Sequence, residues 1–316
     1  MVSSISEQLG VIMAALVTPT SADERVNHDH LESLVDNFIG RGVEGIYCNG
    51  STGEGLLLSV EERAEVTRSA IRAAGGRVPV VAHVGALRTQ DSIDLAKAAQ
   101  AAGAIAVSMI PPTYYSHSTE VIEAHYRAVM DAVDLPMIVY NIPQFTGVEF
   151  TVKSAGGLLS DSRVVGVKQT AHNMYSVERM RTAFPHVAII NGFDEVFLSA
   201  LAAGAQGTIG TTVGLQPELF KAVRNRFAAG DIAGARAVQS RINHVVDELV
   251  DVGVFPAAKY LAGRGVGDLG DCRKPFLPLS AEDRARLDAL GDQIDEFVEI
   301  TRGEPSSDRA PAKQTT

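Results

Sequence analysis

The sequence predicts an α/β fold, a (β/α)8 TIM barrel followed by a C-terminal helical extension. Three observations carry this. Eight short runs rich in Val, Ile and Ala alternate with longer amphipathic stretches. The runs are continuously apolar rather than alternating, as strands of a parallel sheet covered on both faces must be. From Phe220 onward the strand signal stops and helical periodicity takes over.

The runs fall at 11–17, 43–48, 78–82, 104–109, 136–140, 164–168, 187–190 and 205–209. After the first, Asn27 is placed to cap a helix whose Leu31, Leu34, Val35, Phe38 and Ile39 form one apolar stripe. Ser59-Val-Glu-Glu62 reads as a capping box that opens the next helix. Gly103 and Gly204 follow alanine-rich helices at positions suited to C-caps. Eight strand–helix units in about 230 residues match the barrel in count and size. A doubly wound sheet of eight strands is the structural alternative. Val245, Leu249 and Val250, and after a Ser280 cap Leu287, Leu290, Ile294, Phe297 and Val298, mark amphipathic helices expected to pack on the barrel. The expected division is a barrel carrying the active site over 1–225, the helical extension over 226–302 and a disordered tail over 303–316, rich in Ser, Pro, Lys and Thr.

Composition narrows the functions. The 316 residues are 46% hydrophobic, enough for a large core. They carry 28 basic against 38 acidic side chains, a net charge of −10. With no basic block, a nucleic-acid partner is not expected. Cys48 and Cys272 stand far apart without a CxxC pattern, which argues against a disulfide framework or a zinc site. The eight histidines show no ligand spacing, so no metal is expected. No GxGxxG follows the first run, so no dinucleotide site is expected. The N-terminus lacks the pattern of a signal peptide, and no run reaches the roughly 18 apolar residues of a membrane span. The expectation is a cytoplasmic protein without a membrane partner, and the Asn49-Gly-Ser51 sequon is set aside.

In a barrel of this kind function gathers where strands end and the following loops begin. Lys168 closes the sixth run. On an interior strand its ammonium would sit among apolar neighbours such as Val165 and Val167, which penalise the charged form. A neutral amine attacks a ketone and an ammonium does not, so the position suits a Schiff-base lysine; a surface or salt-bridged lysine is the plainer alternative. After the second run, Asn49-Gly-Ser-Thr-Gly-Glu-Gly55 offers glycines and hydroxyls that could cradle a phosphate or a carboxylate, though the Lys of a P-loop is missing. Pro111-Pro-Thr-Tyr-Tyr115 follows the fourth run, and Tyr140-Asn-Ile-Pro143 closes the fifth. A tyrosine there is either core or, beside a Schiff-base lysine, a proton carrier. Asn191-Gly-Phe-Asp-Glu195 places two carboxylates at a helix start, as caps or as acceptors for the hydroxyls of a polyol. Gly207-Thr-Ile-Gly-Thr-Thr212 again offers glycines and hydroxyls.

These segments together resemble the N-acetylneuraminate lyase and dihydrodipicolinate synthase superfamily of pyruvate-dependent class I aldolases. The resemblance runs from Val11 to Phe297 and rests on Gly50-Ser-Thr-Gly-Glu54, Tyr140-Asn-Ile-Pro with Thr146-Gly-Val148, Gly166-Val-Lys-Gln-Thr170, Asn191-Gly-Phe-Asp-Glu195 and Cys272-Arg-Lys-Pro-Phe276. It implies a homotetramer in which Lys168 forms an imine with pyruvate and no dissociable cofactor takes part. Ser51 and Thr52 would hold the keto-acid carboxylate, and Tyr140, aided by Ser51, would pass protons at the reacting hydroxyl. Tyr114 or Tyr115, with Tyr115 favoured, matches a residue that reaches a neighbouring subunit's site.

Within the superfamily the lyase branch is the better match. Gln144-Phe145 stands where synthases carry an arginine, and Lys168-Gln-Thr170 and Gly192-Phe-Asp-Glu195 match lyase segments. Thr170, Gly192, Asp194 and Glu195 would then bind the hydroxyls of a sugar acid. Phe193 replaces a tyrosine, Thr211 replaces a substrate-contacting serine, and Phe255 matches a residue that closes the site from the extension. The implied reaction is retro-aldol cleavage of a 2-keto-3-deoxy sugar acid, N-acetylneuraminate foremost, to pyruvate and an aldehyde, N-acetylmannosamine. A free phenol ionises only near pH ~10, so Tyr140 needs a relay, which Ser51 and Tyr115 would supply. A 2-keto-3-deoxy sugar-acid aldolase or dehydratase, and further off a 4-hydroxy-tetrahydrodipicolinate synthase, share the imine. A non-catalytic barrel that binds a keto acid or a phosphorylated ligand is the alternative of another class.

Overall fold

The computed structural model describes residues 5–304. Eight parallel strands close into a barrel in sequence order: β1 (Ile12–Ala15), β2 (Gly45–Cys48), β3 (Val80–His83), β4 (Ala106–Met109), β5 (Met137–Asn141), β6 (Val164–Gln169), β7 (Ala188–Asn191) and β8 (Gly207–Gly210), which pairs with β1. Closure rules out the open doubly wound sheet. Each expected run overlaps one strand. Alternate residues face two different cores, which is why the runs read as continuously apolar. Met13, Tyr47, Val81, Ala106, Ile138, Ile190 and Ile209 fill the barrel interior, while Ile12, Ile46, Val107, Val139 and Val167 pack outward under the helices.

The layer outside begins with α1 (Ile5–Leu9), a short N-terminal helix without a sequence-level signal, whose Leu9 joins the interior core. Then come α2 (His28–Gly40), α3 (Val60–Ala74), α4 (Thr89–Ala102), α5 (Thr119–Met130), two single-turn helices α6 (Pro143–Thr146) and α7 (Gly156–Leu159), α8 (Met174–Ala183), α9 (Phe197–Ala202) and α10 (Pro217–Ala228). Asn27 caps α2 by accepting from the His30 amide, and Gly103 ends α4 with φ +96°. Gly204, one residue past the cap of α9, takes φ +98°.

The extension is α11 (Ile232–Val252), α12 (Val254–Ala262) and α13 (Ala281–Gly303). The helix break that separates it from the barrel falls at 229–231, since α10 runs through residue 225 to Ala228. Val245, Leu249, Leu287, Leu290, Ile294 and Val298 are buried as expected, and Phe297 is half-buried. Val250 is not: it is 59% exposed and faces the cavity described below. The expected tail lies, from residue 305 on, outside the described residues, and Gly303 still belongs to α13. Both cysteines are free and buried. Among the described residues no helix is long and apolar enough to cross a membrane.

One irregularity places the chemistry. Met137 pairs with Val164 but Ile138 pairs with Gly166, so β6 carries one extra residue, Val165, at a bulge. Beyond it Tyr140 pairs with Lys168, and Lys168 in turn with Ile190.

The capping box of α3 gives a stability test away from this site. The Ser59 hydroxyl accepts from the Glu62 amide at 3.2 Å, and the Glu62 carboxylate accepts from the Ser59 amide at 2.8 Å. Ser59→Ala is expected to remove about 1 kcal/mol. The measurement is a urea unfolding curve, with a lower midpoint at unchanged slope; an unmoved midpoint would contradict the assignment.

Candidate active site

At the C-terminal mouth of the barrel the Lys168 amine lies over two phenol rings, 4.0 Å from the centroid of Tyr140 and 4.4 Å from that of Tyr47. The residue is only 4% exposed, yet it lines a cavity of about 240 Å³. Among the described residues its nitrogen makes no hydrogen bond or ion pair. The expected neighbours Val165 and Val167 are not what it meets. Val167 faces the helical layer and Val165 packs on the interior core at the bulge. The amine is surrounded by aromatic faces, because strand neighbours point to opposite sides.

Tyr47 had no sequence-level assignment, although it lies on a buried strand two residues before the Asn49 loop. Its hydroxyl donates to Ser108 Oγ at 3.1 Å. Burial first, then the neighbouring Tyr140, pushes its phenol well above the ordinary 10. His83 completes the cluster, its ring 5.9 Å from that of Tyr140 and 6.3 Å from that of Tyr47. Its Nε2 accepts from the Ile110 amide at 3.3 Å, and Nδ1 lies 3.1 Å from the Asn49 carbonyl and 3.2 Å from Arg63 Nη2. Burial, then the charges of Arg63 and Lys168, hold this imidazole well below 6.5. Both groups therefore stay neutral beneath the amine.

The loop after β2 brings Ser51 and Thr52 to the cavity. Neither of their amides is hydrogen-bonded among the described residues, and Thr52 Oγ1 lies 2.7 Å from Thr211 Oγ1 of the β8 loop. Free amides and hydroxyls at one loop suit an anion. Asn141, Gln169 and Asn191 of the sequence motifs serve the scaffold. Asn141 donates to Gln169 Oε1 at 2.7 Å and Asn191 to the Phe193 carbonyl at 2.6 Å, fixing the strand ends on either side of Lys168.

The opposite side comes from β6, β7 and β8. Asp194 does not cap its own helical turn. Its Oδ2 accepts from the Thr212 amide at 2.7 Å and the Thr212 hydroxyl at 2.8 Å, while its buried Oδ1 has no partner. A side chain at Gly210 would collide with that carboxylate, its Cβ 1.6 Å from Oδ1. A Cβ at Gly192 would lie 1.9 Å from Thr170 Oγ1, itself buried and unpartnered. Glycine at both positions thus leaves room for two polar groups at the cavity. Glu195 lies 3.2 Å from His172 Nε2, and the His172 ring stacks on Phe193 with centroids 4.6 Å apart. His172 was not singled out in the sequence; a lone histidine after Lys-Gln-Thr-Ala carries no pattern by itself.

The outer wall is apolar. Val246, Leu249 and Val250 of α11 join Val254 and Phe255 of α12, and Ile142, Gln144 and Phe145 close the side after β5. Of the expected site residues, Lys168, Tyr140, Ser51, Thr52, Thr170, Gly192, Asp194, Glu195, Thr211 and Phe255 all line this one cavity. Tyr115 does not. It is 68% exposed on the loop after β4, edge to face with Tyr114, which is 88% exposed.

A family model described as the dihydrodipicolinate synthetase family matches residues 8–294. The chain belongs to that family. A relative from Rhizobium meliloti (strain 1021) named N-acetylneuraminate lyase is 41% identical over 276 residues, 87% of this chain and 92% of its own length. One of the same name from Salmonella typhimurium is 38% identical over 292 residues, 92% and 98% of the two chains. Among solved structures, the catalytic lysine mutant of the Ruminococcus gnavus sialic acid aldolase superposes with a TM-score of 0.90 at 28% identity, covering 94% of this chain and 99% of that one.

Asp194 supplies a pH signature. Burial, opposed by the two Thr212 bonds, raises its carboxyl from 3.8 to about 6. Between these values the folded protein keeps a proton that the unfolded chain has released. The contribution of this one carboxyl is therefore full below about pH 4 and is lost as pH rises to about 6, by about 3 kcal/mol. Asp194→Asn, which keeps an acceptor for Thr212, should gain about that much on the native protein between pH 4 and pH 7. Denaturant unfolding at both pH values checks this, and parallel curves would refute it.

Proposed function

We propose that this protein is a class I aldolase that cleaves a 2-keto-3-deoxy sugar acid, N-acetylneuraminate, to pyruvate and N-acetylmannosamine. The observation that carries the reading is an unpaired lysine amine facing a cavity that also holds loop hydroxyls and two carboxylates. Its likeness to proteins named N-acetylneuraminate lyase supports the sugar acid.

Lys168 adds to the C2 ketone, and loss of water gives a protonated imine. Ser51 and Thr52 hold the substrate carboxylate through hydroxyls and amides. Tyr140 takes the C4 hydroxyl proton, the C3–C4 bond breaks, and its electron pair moves into the imine to give an enamine as the aldehyde leaves. Protonation at C3 and addition of water then release pyruvate and restore the amine. Thr170, the Gly192 backbone, Asp194 and Glu195 receive the hydroxyls of the sugar chain, with Thr211 and Phe255 shaping the pocket. The covalent imine serves in place of a cofactor. Tyr115 points away from its own cavity and completes the relay in a neighbouring copy of a homotetramer. The compartment that fits a keto-acid enzyme of this kind is the cytoplasm.

Borohydride with pyruvate is the direct test. A mass increment on Lys168 is expected, absent from Lys168→Ala; an unlabelled wild type would leave a keto-acid-binding barrel instead. Tyr140→Phe separates the later step. It should slow aldehyde release by about 10²- to 10⁴-fold while still trapping pyruvate. Pyruvate release from N-acetylneuraminate, compared with 2-keto-3-deoxygluconate, reads this out, and full turnover in Tyr140→Phe would remove that residue from the mechanism.

A further inference from the structure

Three residues beyond Ser51, the loop turns inward. Glu54 adopts a left-handed backbone, φ +56°, and buries its carboxylate against Lys259 of α12, Oε1 to Nζ 3.0 Å, with side chains 2% and 1% exposed. The ammonium also donates to Thr20 Oγ1 at 3.0 Å and the Asp271 carbonyl at 2.9 Å, so all three of its protons are used. The second Glu54 oxygen accepts from the Arg273 amide at 2.6 Å. Arg273 then reaches back to the Leu57 carbonyl at 3.2 Å and to Glu62, at the head of α3. From the barrel side, the Thr18 hydroxyl donates to the Gly53 carbonyl at 2.7 Å.

Resting on the aldolase reading above, we propose that the Glu54–Lys259 pair is a positioning device that fixes the keto-acid carboxylate loop against the wall supplied by the extension. Neither residue lines the cavity. Each, however, is joined to one that does: Glu54 to Ser51 and Thr52 along the loop, and Lys259 to Phe255 one turn earlier on α12. The Phe255 ring in turn meets Phe276, 5.8 Å away, at the end of the segment that Arg273 holds. One ion pair thus ties the two halves of the cavity together across 205 residues of chain. A fully buried pair contributes little net stability over apolar residues of the same size, because desolvation offsets the attraction. What it supplies is direction: an ammonium with all three protons donated and a carboxylate with both oxygens bonded favour one arrangement.

The test is Glu54→Gln/Lys259→Met, which removes both charges and keeps both shapes. Borohydride trapping is followed as a function of pyruvate concentration. The double variant should reach wild-type labelling of Lys168 at saturation but need about tenfold more pyruvate for half-labelling. Asp231→Ala, which removes the N-cap of α11 at the end of that helix remote from the cavity, should lose stability without shifting that midpoint, separating positioning from a general loss of stability. Glu54→Asp, which keeps both charges but draws the carboxylate back by one methylene, gives the same readout should the double variant be insoluble. A double variant with the wild-type midpoint overturns the proposal. A wild type that traps no pyruvate overturns the aldolase reading and the proposal with it.

Discussion

One extra residue in β6 decides which way Lys168 points. In a parallel pair, residues in register share a face, and a slip of one moves every later side chain to the other side. Without the bulge at Val165, Tyr140 would pair with Val167, and Lys168 would project into the helical layer. With it, Lys168 pairs with Tyr140 and its amine enters the barrel mouth. The interior packing of Ile138, Ile190 and the aromatic cluster depends on the same phase. A bulge next to a functional side chain is a common way to re-aim it.

The environment created there is polar only where chemistry requires it. Beneath the amine, Tyr47 and His83 are held neutral by burial, so neither places a charge against it. Across the cavity, Asp194 keeps one oxygen bound to Thr212 and the other free. A half-satisfied buried carboxylate costs stability. The backbone glycines at 192 and 210 show that the space around these groups is kept open deliberately by the local geometry rather than filled.

Much of this was legible in the sequence. The barrel followed from eight continuous apolar runs, and the site from unusual residues at strand ends, because both are local patterns repeated in order. What escaped notice depends on contacts between distant segments. Glu54 reads as part of a Gly-rich loop, and only its burial against Lys259 shows its task. Asp194 reads as a helix cap or as an acceptor for sugar hydroxyls, and only the fold shows one of its oxygens bound to the next strand's loop. Val250 fits the apolar stripe of α11 but sits at the edge where that stripe meets the cavity rather than the core. The role of Phe193, a departure from the family pattern, emerges only with His172 stacked upon it. Periodicity tells which residues are apolar, not which apolar surface faces an empty space.

The wall formed by α11 and α12 has a further meaning. The polar groups that face the cavity sit on strand ends and short loops of the barrel, while Val246, Leu249, Val250, Val254 and Phe255 come from a separate helical layer. The polar lining and the apolar wall are therefore mounted on different parts of one chain. Exchanging side chains along that helical face would re-cut the apolar side of the cavity and leave the immediate surroundings of the Lys168 amine as they are.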